Sequence, residues 1–140
     1  MLKLVHALDV NFNSVVDYDK SYLETSGYSC YAVVTSRGGK EKYFEYVKLY
    51  NKNMYYMVDD ANPDYIIGYI NISHLTSHRE CLDEGNISYD IRPCERHKGY
   101  GTTILSLILN KCKEIGIPEV CVSCHVDNIA SKKIIEKNNG

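Results

Sequence analysis

The chain has 140 residues, the size of one ordinary domain and long enough to bury a real core. Sixteen basic residues stand against eighteen acidic ones, giving a net charge of −2 with no basic block, which argues against tracking of nucleic-acid phosphates. No stretch approaches the roughly 20 apolar residues of a membrane helix, so neither nucleic acid nor membrane is expected as a partner.

Residues 2–8 read as a first strand. The run meets Asp9 too soon for a signal-peptide core, which points to the cytoplasm. From Asn11, apolar side chains at Phe12, Val15, Val16, Tyr22 and Leu23 fall at helical spacing until Gly27 stops the pattern. Residues 28–35 are β-prone. After Gly38 and Gly39, a stripe of Tyr43, Phe44, Val47 and Tyr50 predicts a second amphipathic helix, its aromatics serving as core rather than as a ligand cage. The period then changes to two. Residues 53–59 read as a strand, Ala61-Asn62-Pro63-Asp64 as a turn, 65–75 as the hairpin partner and 76–85 as a polar connection.

Across 86–92, Ile87, Tyr89 and Ile91 alternate with Ser88 and Asp90, and Pro93 ends the strand because it lacks a ladder donor. The strongest helix follows, on a stripe of Ile104, Leu105, Ile108, Leu109, Cys112 and Ile115, with Gly116 and Pro118 as stop signals. Residues 119–126 predict another strand, and Asn128 caps a last helix reaching Lys137. No linker or repeat divides the sequence. Helices, a β-meander, then strand–helix–strand–helix make a mixed α/β domain spanning residues 1–140.

The segment carrying most chemistry is Arg96-His97-Lys98-Gly99-Tyr100-Gly101-Thr102, between a strand end and a helix start. A helix start offers unpaired N–H groups and a partial positive charge, so an anion settles there readily. Gly99 and Gly101 remove β-carbons that would hold a phosphate away, and Arg96 and Lys98 add charge. No Gly-Lys-Ser/Thr follows, so this is not a Walker loop; Ile104 occupies the third small position of a dinucleotide fingerprint.

Other constellations are weaker. Cys121-Val122-Ser123-Cys124-His125 spells C-x-x-C-H, but residues 121 and 124 of a strand point to opposite faces and cannot grip one atom. The six cysteines are read as reduced, mostly buried small hydrophobes. His74, His78, Arg79 and Cys81 form a looser cluster on a stretch that reads partly as strand, and no metal site is expected.

The Arg96 to Gly101 pattern matches the Arg/Gln-x-x-Gly-x-Gly/Ala signature of the GNAT acetyltransferase superfamily. The resemblance runs from about Met54 to Gly140. It is closest in Ile91-Arg92-Pro93-Cys94-Glu95-Arg96-His97-Lys98-Gly99-Tyr100-Gly101 and again in residues 127–138. It implies a GNAT-like α/β fold, acetyl-CoA as co-substrate without a metal, and transfer of acetyl to a primary amine of a small molecule or peptide. The alternative is a non-catalytic acyl-CoA-binding or regulatory module of the same fold. The resemblance further implies that the pyrophosphate rests on N–H groups from His97 to Thr102. Backbone groups near Ile91 would bond the pantetheine amides, with one N–H stabilising the oxyanion. Asn128 and Ser131 would approach the pantetheine–pyrophosphate arm. Glu84 and Asp90 are the candidate bases for freeing the amine lone pair, with His74 a third.

Two departures from the family are visible. A tyrosine that protonates the leaving thiolate in many members is replaced by Ile135, with Tyr89 or solvent as substitutes. Members also continue past the last helix with one or two strands. The resemblance therefore implies a chain lacking its last strands, with an exposed 119–126 edge through which two copies pair.

Overall fold

The computed structural model describes residues 1–26, 38–50, 53–72, 87–116, 120–122 and 127–140. Its centre is an antiparallel meander of four strands in the order β1 (Leu2–His6), β2 (Met54–Asp59), β3 (Gly68–Ile72) and β4 (Ile87–Ile91). Leu2 faces Asp59, Met54 faces Asn71, and Gly68 faces Ile91, so the three pairings run in continuous register. Helices α1 (Phe12–Ser26) and α2 (Lys40–Tyr50) precede β2; α3 (Tyr100–Glu114) and α4 (Ile129–Lys137) follow β4.

Alternation along the strands separates two cores. Met54, Tyr56 and Val58 of β2 and Tyr69 of β3 face α1 and α2, meeting Val15, Tyr18, Tyr22, Tyr43 and Val47. Tyr55, Met57, Ile70, Ile72, Ile87 and Ile91 face α3, meeting Ile104, Leu105, Ile108 and Cys112. β2 and β3 are therefore covered on both sides. The first core explains where much of the tyrosine goes. A buried phenol needs a partner for its hydroxyl, and these supply one another: Tyr18 with Tyr22 at 3.0 Å and Tyr43 with Tyr56 at 2.9 Å. Their rings meet edge to face, Tyr18 lying 6.1 Å from Tyr56 and 6.4 Å from Tyr69.

Most elements read from periodicity are found among the described residues with modest changes of boundary, the strand expected at 119–126 excepted. β1 stops at His6 rather than at residue 8, because the Asp9 N–H turns back to the His6 carbonyl and the Leu8 N–H to His6 Nδ1. At the start of α1, Asn11 holds the Asn13 N–H through its side chain. β3 begins at Gly68 rather than at 65, and residues 73–75 of its expected range lie outside the described residues, as do 28–35, His74, His78 and Cys81. Of the strand expected at 119–126, residues 120–122 are described, and they join no ladder; the Ile87 N–H donates to the Cys121 carbonyl at 3.2 Å. The reading of every cysteine as reduced is corrected at Cys121, which is disulfide-bonded, while Cys94 and Cys112 are free. No described helix is long and apolar enough to cross a membrane, and no group of three or more metal-ligating side chains gathers among the described residues.

Candidate functional site

β4 ends against Pro93, and Pro93–Glu95 makes one 3-10 turn. His97 and Gly99 then take left-handed backbone conformations, φ 65° and 87°, before α3 starts at Tyr100. At Gly99 no atom stands within 4 Å of where a β-carbon would be, so its need for glycine is conformational, not steric. Gly101 has the other reason. A β-carbon there would collide with the Ile134 side chain, so this glycine lets α4 lie close against α3.

No side chain caps the start of α3. Its first backbone bond runs from the Thr103 N–H to the Gly99 carbonyl at 3.3 Å, leaving the N–H groups of Tyr100, Gly101 and Thr102 without a partner among the described residues. A missing cap typically costs about 1 kcal/mol, and an anion at that point would offset it. α4 lies beside this start, tied by the Asn138 Nδ2 bond to the Thr102 carbonyl at 3.3 Å. At the other end of α4, Asn128 caps the helix by accepting the Ser131 N–H at 3.1 Å.

The end of β4, the loop and the inner faces of α3 and α4 enclose a groove of about 670 Å³. Of the residues singled out in the sequence, the groove brings together Tyr89, Asp90, Ile91, Arg96, His97, Gly99, Tyr100, Gly101, Thr102, Asn128 and Ser131. Lys98 is not on its wall, and Glu84 lies outside the described residues. Ile135, where the family tyrosine would stand, is half-buried.

The loop charges are internally engaged. Arg96 clasps the strand end: Nη2 donates to Asp90 Oδ1 at 3.0 Å and Nε to the Ile91 carbonyl at 3.1 Å. Asp90 Oδ1 also accepts the Ile91 N–H at 2.8 Å, and the Tyr22 hydroxyl of α1 donates to the Ile91 carbonyl at 3.1 Å. Burial works against the Arg96 charge, but Asp90 and Tyr22 outweigh it and hold its pKa above the ordinary value. Both backbone groups of Ile91 offered to pantetheine in the sequence reading are thus occupied by the protein itself. A ligand bonding there has to displace this clasp.

Lys98 Nζ pairs with Glu95 Oε2 at 3.0 Å, and the Tyr65 hydroxyl donates to Glu95 Oε1 at 2.9 Å. Lys98 first and Tyr65 second hold the Glu95 carboxyl below its usual range. Burial first, then Cys94 and Glu95, push the Tyr65 hydroxyl well up. A carboxyl whose pKa falls on folding adds stability above its unfolded pKa and loses it as pH drops through the folded value. Replacing Glu95 with Gln is therefore expected to cost about 1 kcal/mol near neutral pH. Urea titrations should show that deficit shrinking as pH falls below the ordinary glutamate range, toward the lowered folded value at which the parent carboxyl is protonated.

Sequence reasoning missed Tyr22, Glu95, Lys133 and Lys137. Tyr22 reaches Ile91 across 69 residues of chain, and no local pattern announces it. Lys133 and Lys137 do carry a signal, an i, i+4 spacing that places them on one side of α4.

The fourth strand of an antiparallel sheet thus leads into an uncapped, glycine-started helix beside a second helix, the mixed α/β arrangement of one known family. The family model of the acetyltransferase (GNAT) domain matches residues 12–139, and the chain belongs to that family. No curated protein sequence matches it. Among solved structures it is similar to the GNAT-family acetyltransferase of Streptococcus pneumoniae, with 17% identity and a TM-score of 0.63 over 99% of this chain and 83% of that one. The yncA protein of Salmonella typhimurium, solved with its cofactor acetyl-CoA, gives 16% identity and a TM-score of 0.60 over 98% and 78%. Glucosamine-6-phosphate N-acetyltransferase of Arabidopsis thaliana gives 16% and 0.55 over 96% and 90%. These likenesses establish the fold, and the family makes the chain an acyltransferase.

Proposed function

We propose that residues 1–140 form one domain that transfers the acetyl group of acetyl-CoA to a primary amine of a small molecule or peptide. The single observation carrying this reading is the uncapped start of α3, with unpartnered N–H groups at Tyr100, Gly101 and Thr102 opening on a groove of about 670 Å³. Those donors fit a diphosphate. Asn128 and Ser131, at the opposite end of α4, fit the pantetheine arm. The co-substrate supplies an activated acyl group as a thioester. Attack by an amine needs a lone pair, so a proton has to leave the ammonium form first.

Asp90 is a positioning residue in this reading. Its Oδ1 is committed to the Ile91 N–H and to Arg96, and we assign proton removal to Glu84 or to water. Asp90→Asn preserves an acceptor for that N–H and should change kcat less than about threefold, while Asp90→Ala should raise the KM for acetyl-CoA. A general base contributes about 10²–10⁴ in rate, so a hundredfold fall in kcat with unchanged KM for Asp90→Asn would assign it the base role instead.

One observation favours a second reading, a coenzyme-binding module without turnover: Ile135 cannot protonate a leaving thiolate. Thiol release from acetyl-CoA in the presence of an amine panel decides between the two. Acetylated amine with stoichiometric free thiol supports the enzyme, and coenzyme binding without thiol release supports the module.

A further inference from the structure

The coenzyme reading places a diphosphate at the start of α3, and such a ligand brings more negative charge than backbone N–H groups alone neutralise. The two loop cations that the sequence offers for it are spent elsewhere. Arg96 is bound to Asp90 and to the Ile91 carbonyl. Lys98 is bound to Glu95 and stands off the groove wall. The carboxylates on the wall, Asp90 and Glu95, are the partners of these same two cations.

What remains is on α4. Lys133 and Lys137 line the groove and have no ion-pair partner among the described residues. They are four positions apart, so they rise from one side of the helix on successive turns. Two contacts fix that side toward the ligand. Ile134 packs where Gly101 leaves room, and Asn138, the neighbour of Lys137, bonds the Thr102 carbonyl in the first turn of α3. Lys133, next to Ile134, thus stands level with Gly101, and Lys137 lies one turn further along α3, where it also borders Ser106 and Asn110.

We infer that Lys133 and Lys137 form the cationic wall that grips the diphosphate of the coenzyme, opposite the backbone donors of α3. This assignment rests on the coenzyme reading above but assigns the charge to α4 rather than to the loop. Exposed ammonium groups on a flexible stem suit this task, acting as point charges that follow the ligand. Their contribution is screened by salt, so the lysines also set the ionic-strength dependence of binding.

The test is calorimetric titration of the folded chain and its variants with coenzyme A, dephospho-coenzyme A and pantetheine. Lys133→Gln/Lys137→Gln should weaken coenzyme A at least tenfold and flatten its salt dependence. Dephospho-coenzyme A, which keeps the diphosphate, should lose affinity by the same factor, and pantetheine should lose none. Lys132→Gln, on α4 but off the wall, should bind as the parent does, and Lys133→Arg/Lys137→Arg should stay within about threefold of it. A loss confined to coenzyme A would move the lysines to the 3′-phosphate and overturn the assignment. Parental affinity in the double Gln variant would overturn it too, leaving the coenzyme reading intact. A parent chain that binds no coenzyme would instead refute that reading and this inference with it.

Discussion

Gly101→Val is expected to abolish measurable coenzyme binding and to lower stability by about 2–3 kcal/mol, within the range of core overpacking. The cause is steric and specific. A β-carbon at 101 enters the space of the Ile134 side chain, and valine adds two methyl groups to it. The Ile134 side chain, itself on the groove wall, must then shift, which disturbs the α3–α4 contact beside which Asn128, Ser131, Lys133 and Lys137 line the groove. Substitution of Ile134 by Ala in the same chain should restore part of the affinity by clearing that space. Binding is read by calorimetry and stability by urea unfolding; a Gly101→Val chain that binds normally would break the link between this glycine and the groove.

Arg92→Ala should cost about 3 kcal/mol of stability. Arg92 is only 5% exposed. Its guanidinium lies 4.2 Å from the ring centre of Tyr65 and 5.5 Å from that of Tyr18. Nε donates to the Ile66 carbonyl at 2.8 Å, and Nη2 reaches Asp17 at 3.1 Å. Removing the side chain strips a buried carbonyl of a donor, a loss of about 1–3 kcal/mol. It also removes cation–ring contacts worth about 0.5–2 kcal/mol. The Asp17 pair adds little, because that carboxylate is 62% exposed. Arg92→Met keeps most of the packing and should lose less. The same residue immobilises the entry to the loop, so urea unfolding is paired with coenzyme titration, and both should fall for Ala.

Much of the fold was legible because its signals are local. The alternation of Ile87, Tyr89 and Ile91, the stop at Pro93 and the wide stripe of α3 each follow from one element's own period. The groove was legible for a similar reason, since a glycine-rich strand-to-helix junction exposes N–H groups whatever packs around it. What escaped depends on contacts between distant segments. Arg96 and Lys98 read as phosphate ligands because sequence gives their charge but not their pairing with Asp90 and Glu95. Gly101 read as a place for phosphate approach, whereas the packing of α4 supplies a steric reason for it. Lys133 and Lys137 share a helix face by spacing alone, yet which way that face points is settled only by Ile134 and Asn138.

Calorimetric titration of the purified, folded parent chain with coenzyme A addresses the central claim most directly. The account predicts saturable one-to-one binding, weakened by salt and lost in Gly101→Val. A folded chain that gives no binding heat with millimolar coenzyme, at several temperatures and at low salt, would contradict it.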